Sequence, residues 1–324
     1  MPILVPSVYI PPEEQPGVPW PILINQMPQV SFTDPRGVTT HLSDWENGWL
    51  LQPGAKGLDM PGYTFSTDES PGIDGYALRD VRANGKEIIL PLAFWANDSR
   101  AAYQARRRAF INSVNPKRGV GTLTLTQPDG DRRSIGAYYT GGLEGDESLD
   151  AAGERWCINA VTFGVPSPYW IGSEVTQTWK SGSAATFFPI LPLTVGASQV
   201  LGQVTVTNPG DDVAYPVWTV KGPANVITLT NTVTVVSGAG VASTETRSIV
   251  LTRTITASDT IVIDTRERRQ TALLNGVTNL WPDLSDDSEL WPLEEGDNTL
   301  NLVVDGSTSA TSVSMTYQPR YLAS

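Results

Sequence analysis

Apolar and polar residues alternate in short runs along most of this chain, and Gly, Pro, Asn and Asp cluster between the runs. In 203–208 and 261–265, Val204, Val206, Ile261 and Ile263 fall on one face of a period-two strand, while Thr205, Thr207, Val262 and Asp264 fall on the other. The turns Asn208-Pro-Gly-Asp-Asp212, Gly222-Pro223 and Glu295-Gly-Asp-Asn298 bracket such runs with dihedrals that β-branched residues resist. Further runs near 187–195, 214–220, 226–236, 246–256, 270–276, 298–304 and 311–317 provide enough short strands for a sandwich. The pattern predicts strands with one packed face each, the other turned to solvent or to another chain.

One segment breaks the period. After the cap-type residues Asn97-Asp98-Ser99, the spacing of Tyr103, Phe110, Ile111 and Val114, joined by Ala102 and Ala109, predicts a helix over about 99–115, stopped by Pro116. Arg106, Arg107 and Arg108 then turn mostly outward. With Arg100, Lys117 and Arg118 they make a basic face, with no carboxylate between Ser99 and Pro128. On an acidic protein, that face is a candidate subunit contact through Arg100, Arg106, Arg107 and Arg108. The connection 52–80 is long and has little apolar periodicity, which predicts a protruding loop or arm. Pro128-Asp-Gly130 marks a hairpin, and 156–163 reads as a strand. Two domains are expected, 1–174 with the helix and 175–324 as a β-sandwich.

Composition sharpens this reading. Gly 29 and Pro 25 among 324 residues, with abundant Thr and Val, favour strands and loops, so the expected class is all-β with one helix. The net charge of -12 disfavours any general grip on nucleic acid, because phosphate binding needs clustered Lys and Arg. The apolar start is short and broken by proline, and no apolar run reaches the length of a membrane span, so a soluble chain made in the cytoplasm is expected, without membrane insertion.

Chemistry is scarce. With one histidine, His41, and one cysteine, Cys157, neither a triad nor a zinc cluster has partners, and no Gly-rich phosphate loop precedes a helix. No catalytic residue, metal ligand or cofactor is therefore assigned. Cys157 is expected as a buried thiol. Asp283, Asp286, Asp287 and Glu289, between Trp281 and Trp291, form the densest acidic cluster; it fits no EF-hand spacing and reads as a solvated loop. A glycosidase would need only two carboxylates, but none stands in a convincing motif. Trp281 and Trp291 are the candidate glycan contacts if the second domain binds carbohydrate.

The order of these features carries a resemblance. A β domain whose helix ends in Asn115-Pro-Lys-Arg-Gly119 is followed by Gly121-Thr-Leu-Thr-Leu-Thr126, a Pro-Asp-Gly turn and Pro166-Ser-Pro-Tyr-Trp170. Then come NPGDDVAYPVWTVKGPA from Asn208, the strand end at Ile263-Asp-Thr265, Leu293-Glu-Glu-Gly-Asp-Asn298 and Tyr317-Gln-Pro-Arg-Tyr321. This arrangement resembles the distal tail (Dit) family of long non-contractile-tailed bacteriophages, over nearly the whole chain. The resemblance implies a tail-tube-like N-terminal domain and a galectin-like C-terminal sandwich. It further implies a virion component at the tail tip that forms a ring, commonly a hexamer, and lets DNA pass through its lumen. Its implied partners are copies of itself, the tail tube protein, the tape measure and the central tip or fibre proteins. A carbohydrate-binding adhesion protein is the alternative.

Overall fold

A computed structural model describes residues 28–69, 72, 74–144, 155–180, 199–236 and 242–324. The expected strand at 187–195 and the proline-rich first 20 residues lie outside the described residues. The fold is all-β, with one α-helix among those residues. No helix among them is long and apolar enough to cross a membrane.

The first half contains β1 (Gln29–Thr33), β2 (Thr39–His41), β3 (Trp49–Leu51), β4 (Tyr63–Asp68), β5 (Ala77–Ala83), β6 (Lys86–Trp95), α1 (Arg100–Ser113), β7 (Gly121–Thr126), β8 (Arg132–Gly141), β9 (Trp156–Val165) and β10 (Trp170–Ile171). One sheet runs β2-β1-β7-β8-β9-β6-β3. β8 turns the corner of this sheet. Its first residues pair with β7, and Tyr138 and Tyr139 pair with Gly164 and Phe163 of β9, with a register shift before Gly141. Gly142 follows at φ 99, and a Cβ there would meet the Ala160 carbonyl oxygen at 1.8 Å, so the chain can leave the bulge here only as glycine.

Alternation in β6 places Ile88, Leu90, Leu92 and Phe94 wholly inside, against Val161 and Phe163 of β9 and Val30 and Phe32 of β1. α1 closes this core. Ser99 caps it by accepting from the Ala102 N–H, and Tyr103 and Phe110 pack on Phe94, with Phe110 also edge-on to Trp49 at 5.0 Å. Val114 is buried as the spacing predicts, but Ala109 and Ile111 are exposed, so the packed stripe is narrower than the sequence implied.

The second half contains β11 (Val175–Lys180), β12 (Gln199–Val200), β13 (Gln203–Asn208), β14 (Val217–Lys221), β15 (Ala224–Val236), β16 (Ala242–Ile255), β17 (Thr260–Asp264), β18 (Thr271–Leu274), β19 (Thr278–Asn279), β20 (Gly296–Asp305), β21 (Ser312–Tyr317) and β22 (Arg320–Tyr321). Two sheets, β12-β11-β21-β14-β17-β18-β19 and β13-β20-β15-β16, bury one core between them. Val206, Ile261 and Ile263 face inward there, as their alternation requires. Trp218 sits at the centre, 6.3 Å from Trp179 and 5.5 Å from Trp291 by ring centroids. Asn208 organises the turn that follows it. Its Oδ1 accepts from the Gly210 N–H, and its Nδ2 donates to the Asp212 carbonyl. β22 leaves the sandwich and pairs with β10 of the first half.

Candidate interaction surfaces

Three surfaces in the first half carry apolar or basic residues that their own domain does not cover. The first is an arm. Within the long 52–80 connection and just beyond it, β4 and β5 form a hairpin whose strands pair only with each other. Phe65 stands opposite Val81 and Tyr63 opposite Ala83; Thr67 stands opposite Leu78 across a register shift. These six share one face, while Thr64, Ser66, Asp80 and Arg82 take the other. The apolar face is open, with Phe65 61% exposed. A lone two-stranded hairpin is marginal in water, so a face of this kind needs a cover.

The arm is anchored at its base. The Asn84 N–H donates to the Gly62 carbonyl, the Lys86 Nζ donates to the Asp59 carbonyl at 2.7 Å, and the Trp170 indole N–H donates to the Leu58 carbonyl at 2.8 Å. Lys86 also lies 5.8 Å from the Trp170 ring centroid. Burial at this place pulls the Lys86 ammonium down to about 8, against the opposing pull of Asp59.

The second surface is the outer face of β6 and β9. Cross-strand pairs Pro91–Ala160, Ala93–Ile158 and Trp95–Trp156 line it without a single charge. Ile158 is 57% and Trp156 48% exposed, and Trp45 packs edge-on against Trp95 at 4.7 Å to extend the patch. Trp95 and Trp156 mark the end of the sheet opposite the arm, because β5 runs directly into the Lys86 end of β6.

The third is α1. Arg100 and Arg108 are exposed, so they remain available to a partner. Arg106 is not: it turns inward and donates from Nη1 to the Trp95 carbonyl, satisfying the end of β6. Arg107 is half-buried, near Tyr103 and Cys157. The expected four-arginine face therefore reduces to two outward residues. An apolar groove of about 640 Å³ runs beside Arg108, between the end of α1 and Tyr139 and Leu143.

The remaining candidates offer little chemistry. His41 is exposed on β2, and Asp44 directs both oxygens to Asn47. Cys157 is buried, and burial pushes its thiol up despite bonds from Tyr103 and Asn159, which leaves it a poor nucleophile. Among the described residues, no group of three or more His, Cys, Asp or Glu is placed to hold a metal ion. The acidic loop supports the fold by running along the open edge of β16. The Ser285 N–H donates to the Val250 carbonyl, the Glu289 N–H to the Ser248 carbonyl, and the Val250 N–H to Ser288 Oγ. Asp283 and Glu289 lie 3.5 and 3.7 Å from Arg253 and Arg247. The two candidate glycan contacts part company. Trp281 is 44% exposed, whereas Trp291 is wholly buried with its indole N–H on the Leu229 carbonyl, so only Trp281 can present a ring to a sugar.

Comparison with known proteins gives these surfaces a setting. Residues 219–321 match the family model of the siphovirus-type tail component, C-terminal domain. By fold, the chain is similar to the crystal structure of the Dit protein (gp 19.1) of phage SPP1, described as a paradigm of the hub adsorption apparatus in phages infecting Gram-positive bacteria. The TM-score is 0.62 at 12% identity, over 91% of this chain and 100% of that one. The chain thus resembles the siphophage distal tail proteins in sequence family over residues 219–321 and in fold over most of its length. A chain of the phage P2 baseplate in its activated conformation with Ca is also similar, with a TM-score of 0.48 and 12% identity over 90% of this chain and 98% of that one. No curated protein sequence matches. The part matched to the tail-component family holds the acidic loop, Trp281, Trp291 and β22. The arm, the β6–β9 face and α1 lie outside it, in the region that shares only its fold with the distal tail protein.

Proposed function

We propose that this protein is a structural, non-enzymatic component of a siphophage tail tip that closes into a ring through its N-terminal domain. The ring, commonly a hexamer in the family it resembles, joins the tail tube protein to the tape measure and central tip or fibre proteins. The sandwich lies outside it. DNA passes through the lumen without specific binding, which suits a chain of net charge -12. One observation carries the reading: two unlike apolar surfaces stand apart, the arm where the chain enters β6 at Lys86 and the β6–β9 face towards the Trp95–Trp156 end of the same strands. Unlike patches that fit each other make a head-to-tail contact, and a head-to-tail contact that rotates consistently closes into a ring.

Sedimentation velocity of the full chain at high concentration, together with tag-directed electron microscopy of particles, tests the proposal. A closed oligomer in solution and label at the tail tip are expected; monomer alone and an unlabelled tip sink it. A second reading rests on the exposed Trp281 ring, whose backbone N–H is held by Asn279 Oδ1 at 3.1 Å. It makes the sandwich a glycan-binding module, and a glycan array comparing the native chain with Trp281→Ala decides it.

A further inference from the structure

We propose that residues 318–322 form a strap, pinned by Arg320, which holds the sandwich at one orientation on the N-terminal domain, and that its release leaves the sandwich free to turn about residues 172–174. The inference concerns a single chain and stands whether or not copies close into a ring.

The chain crosses between the domains twice in the described residues, at 172–174 and at 318–319. The two crossings are not independent. On the sandwich side Val175 pairs with Tyr317, and on the other side Ile171 pairs with Arg320 and Trp170 with Tyr321. The register slips by one residue at the boundary, where the Gly172 N–H donates to the Pro319 carbonyl at 2.9 Å. A two-stranded ribbon thus runs through both bodies. A single covalent linker leaves neighbouring domains free to move, whereas a hydrogen-bonded pair of crossings resists bending.

The pin is the Arg320 side chain. Its guanidinium lies 4.6 Å from the ring centroid of Tyr215 and 5.4 Å from that of Tyr169, and Nη2 is 3.2 Å from Glu267 Oε2. Tyr215 and Glu267 belong to the sandwich, Tyr169 to the segment leading into β10, so one side chain joins both bodies. Burial, then the adjacent Glu267, pushes the Tyr215 phenol up to about 12, so that ring stays neutral beneath the cation.

The turn after Asn208 forms the seat. The Asp211 N–H donates to the Arg320 carbonyl at 2.8 Å, and the Leu322 N–H donates to Asp211 Oδ2 at 3.0 Å. A Cβ on Gly210 would lie 2.5 Å from the Arg320 carbonyl oxygen, so this contact requires glycine. On the other side, Arg133 stacks 3.9 Å from the Tyr321 centroid and donates to the Ala323 carbonyl at 2.9 Å. The Asn-Pro-Gly-Asp-Asp turn and the closing Tyr-Gln-Pro-Arg-Tyr run therefore serve one joint. Arginine is specific to this position, because a lysine ammonium cannot stack as a plane between two rings.

The test uses the full chain, with spin labels at Thr122→Cys on β7 and Ser243→Cys on β16, and reads the inter-label distance distribution. The native strap is expected to give one narrow distribution. Arg320→Ala and Arg320→Lys are each expected to widen it about twofold while circular dichroism stays that of a folded chain. Arg253→Ala, on the sandwich but away from the strap, should leave the width unchanged. An unchanged width in Arg320→Lys, or a native distribution already as wide as the variant's, overturns the proposal. If Arg320→Ala does not fold, Arg320→Lys alone decides.

Discussion

Replacing Phe65 and Val81 by serine separates assembly from folding. Phe65 is 61% exposed and its described ring contact is Tyr63, 6.5 Å away within the same arm, so the protomer's fold gains little from it. An aromatic side chain buries about 150–250 Å², so roughly 100–150 Å² of this one awaits a partner. At about 25 cal/mol per Å² its burial is worth about 2.5–4 kcal/mol. Ordering the arm and imperfect fit consume part of that, leaving about 1.4–2.8 kcal/mol per contact, or ten- to a hundredfold in subunit affinity. The stability of the isolated protomer should move by less than about 1 kcal/mol, as for other exposed positions. Sedimentation velocity across a concentration series reads the first quantity, and thermal unfolding at low concentration the second. The expected outcome is an oligomer shifted to monomer with an unchanged melting curve. An oligomer that persists at every concentration in the double variant would refute the role of the arm, and a fallen melting curve would show that the arm supports its own domain instead.

Arg106→Ala should destabilise the first half by about 1–2 kcal/mol in denaturant unfolding, because it strips a charged donor from the half-buried Trp95 carbonyl, whereas Arg100→Ala should stay within about 0.5 kcal/mol. Trp291→Ala should cost the sandwich about 3–5 kcal/mol in the same assay and leave any glycan binding through Trp281 to be lost only with the fold. Lys86, whose ammonium burial draws down to about 8 from 10.5, makes a pH-dependent contribution. Between those values the unfolded chain binds more protons than the folded one, so stability rises with pH across that window and is flat from this group below it. Melting temperatures at about pH 7.5 and about pH 9.5 should show that rise in the native chain and not in Lys86→Gln.

Cores proved more legible than surfaces, and the residues show why. The alternation that placed Ile261 and Ile263 inward, and the three-four spacing that set Tyr103, Phe110 and Val114 on one helix face, report directly on burial. Ile111 obeyed the same spacing loosely and lies outside, because one residue beyond Phe110 is a turn of about 100° away from the packed stripe. Arg106 looked like its neighbours in sequence; only the three-dimensional end of β6 supplies the carbonyl that draws it in. Trp281 and Trp291 were equivalent by composition, and the difference between them is the sandwich core, where Trp291 packs edge-on against Trp218 and its indole N–H finds the Leu229 carbonyl. The length of the 52–80 connection announced an arm but not its hairpin: Tyr63, Phe65, Val81 and Ala83 do alternate, but over too few residues, and a register shift breaks the pattern just beyond them. Periodicity states that a side chain faces something apolar, without saying whether that is its own core or another chain. Segments with an apolar face and no internal partner are therefore the places to test for the contacts between copies proposed above. Here the arm and the β6–β9 face are such segments.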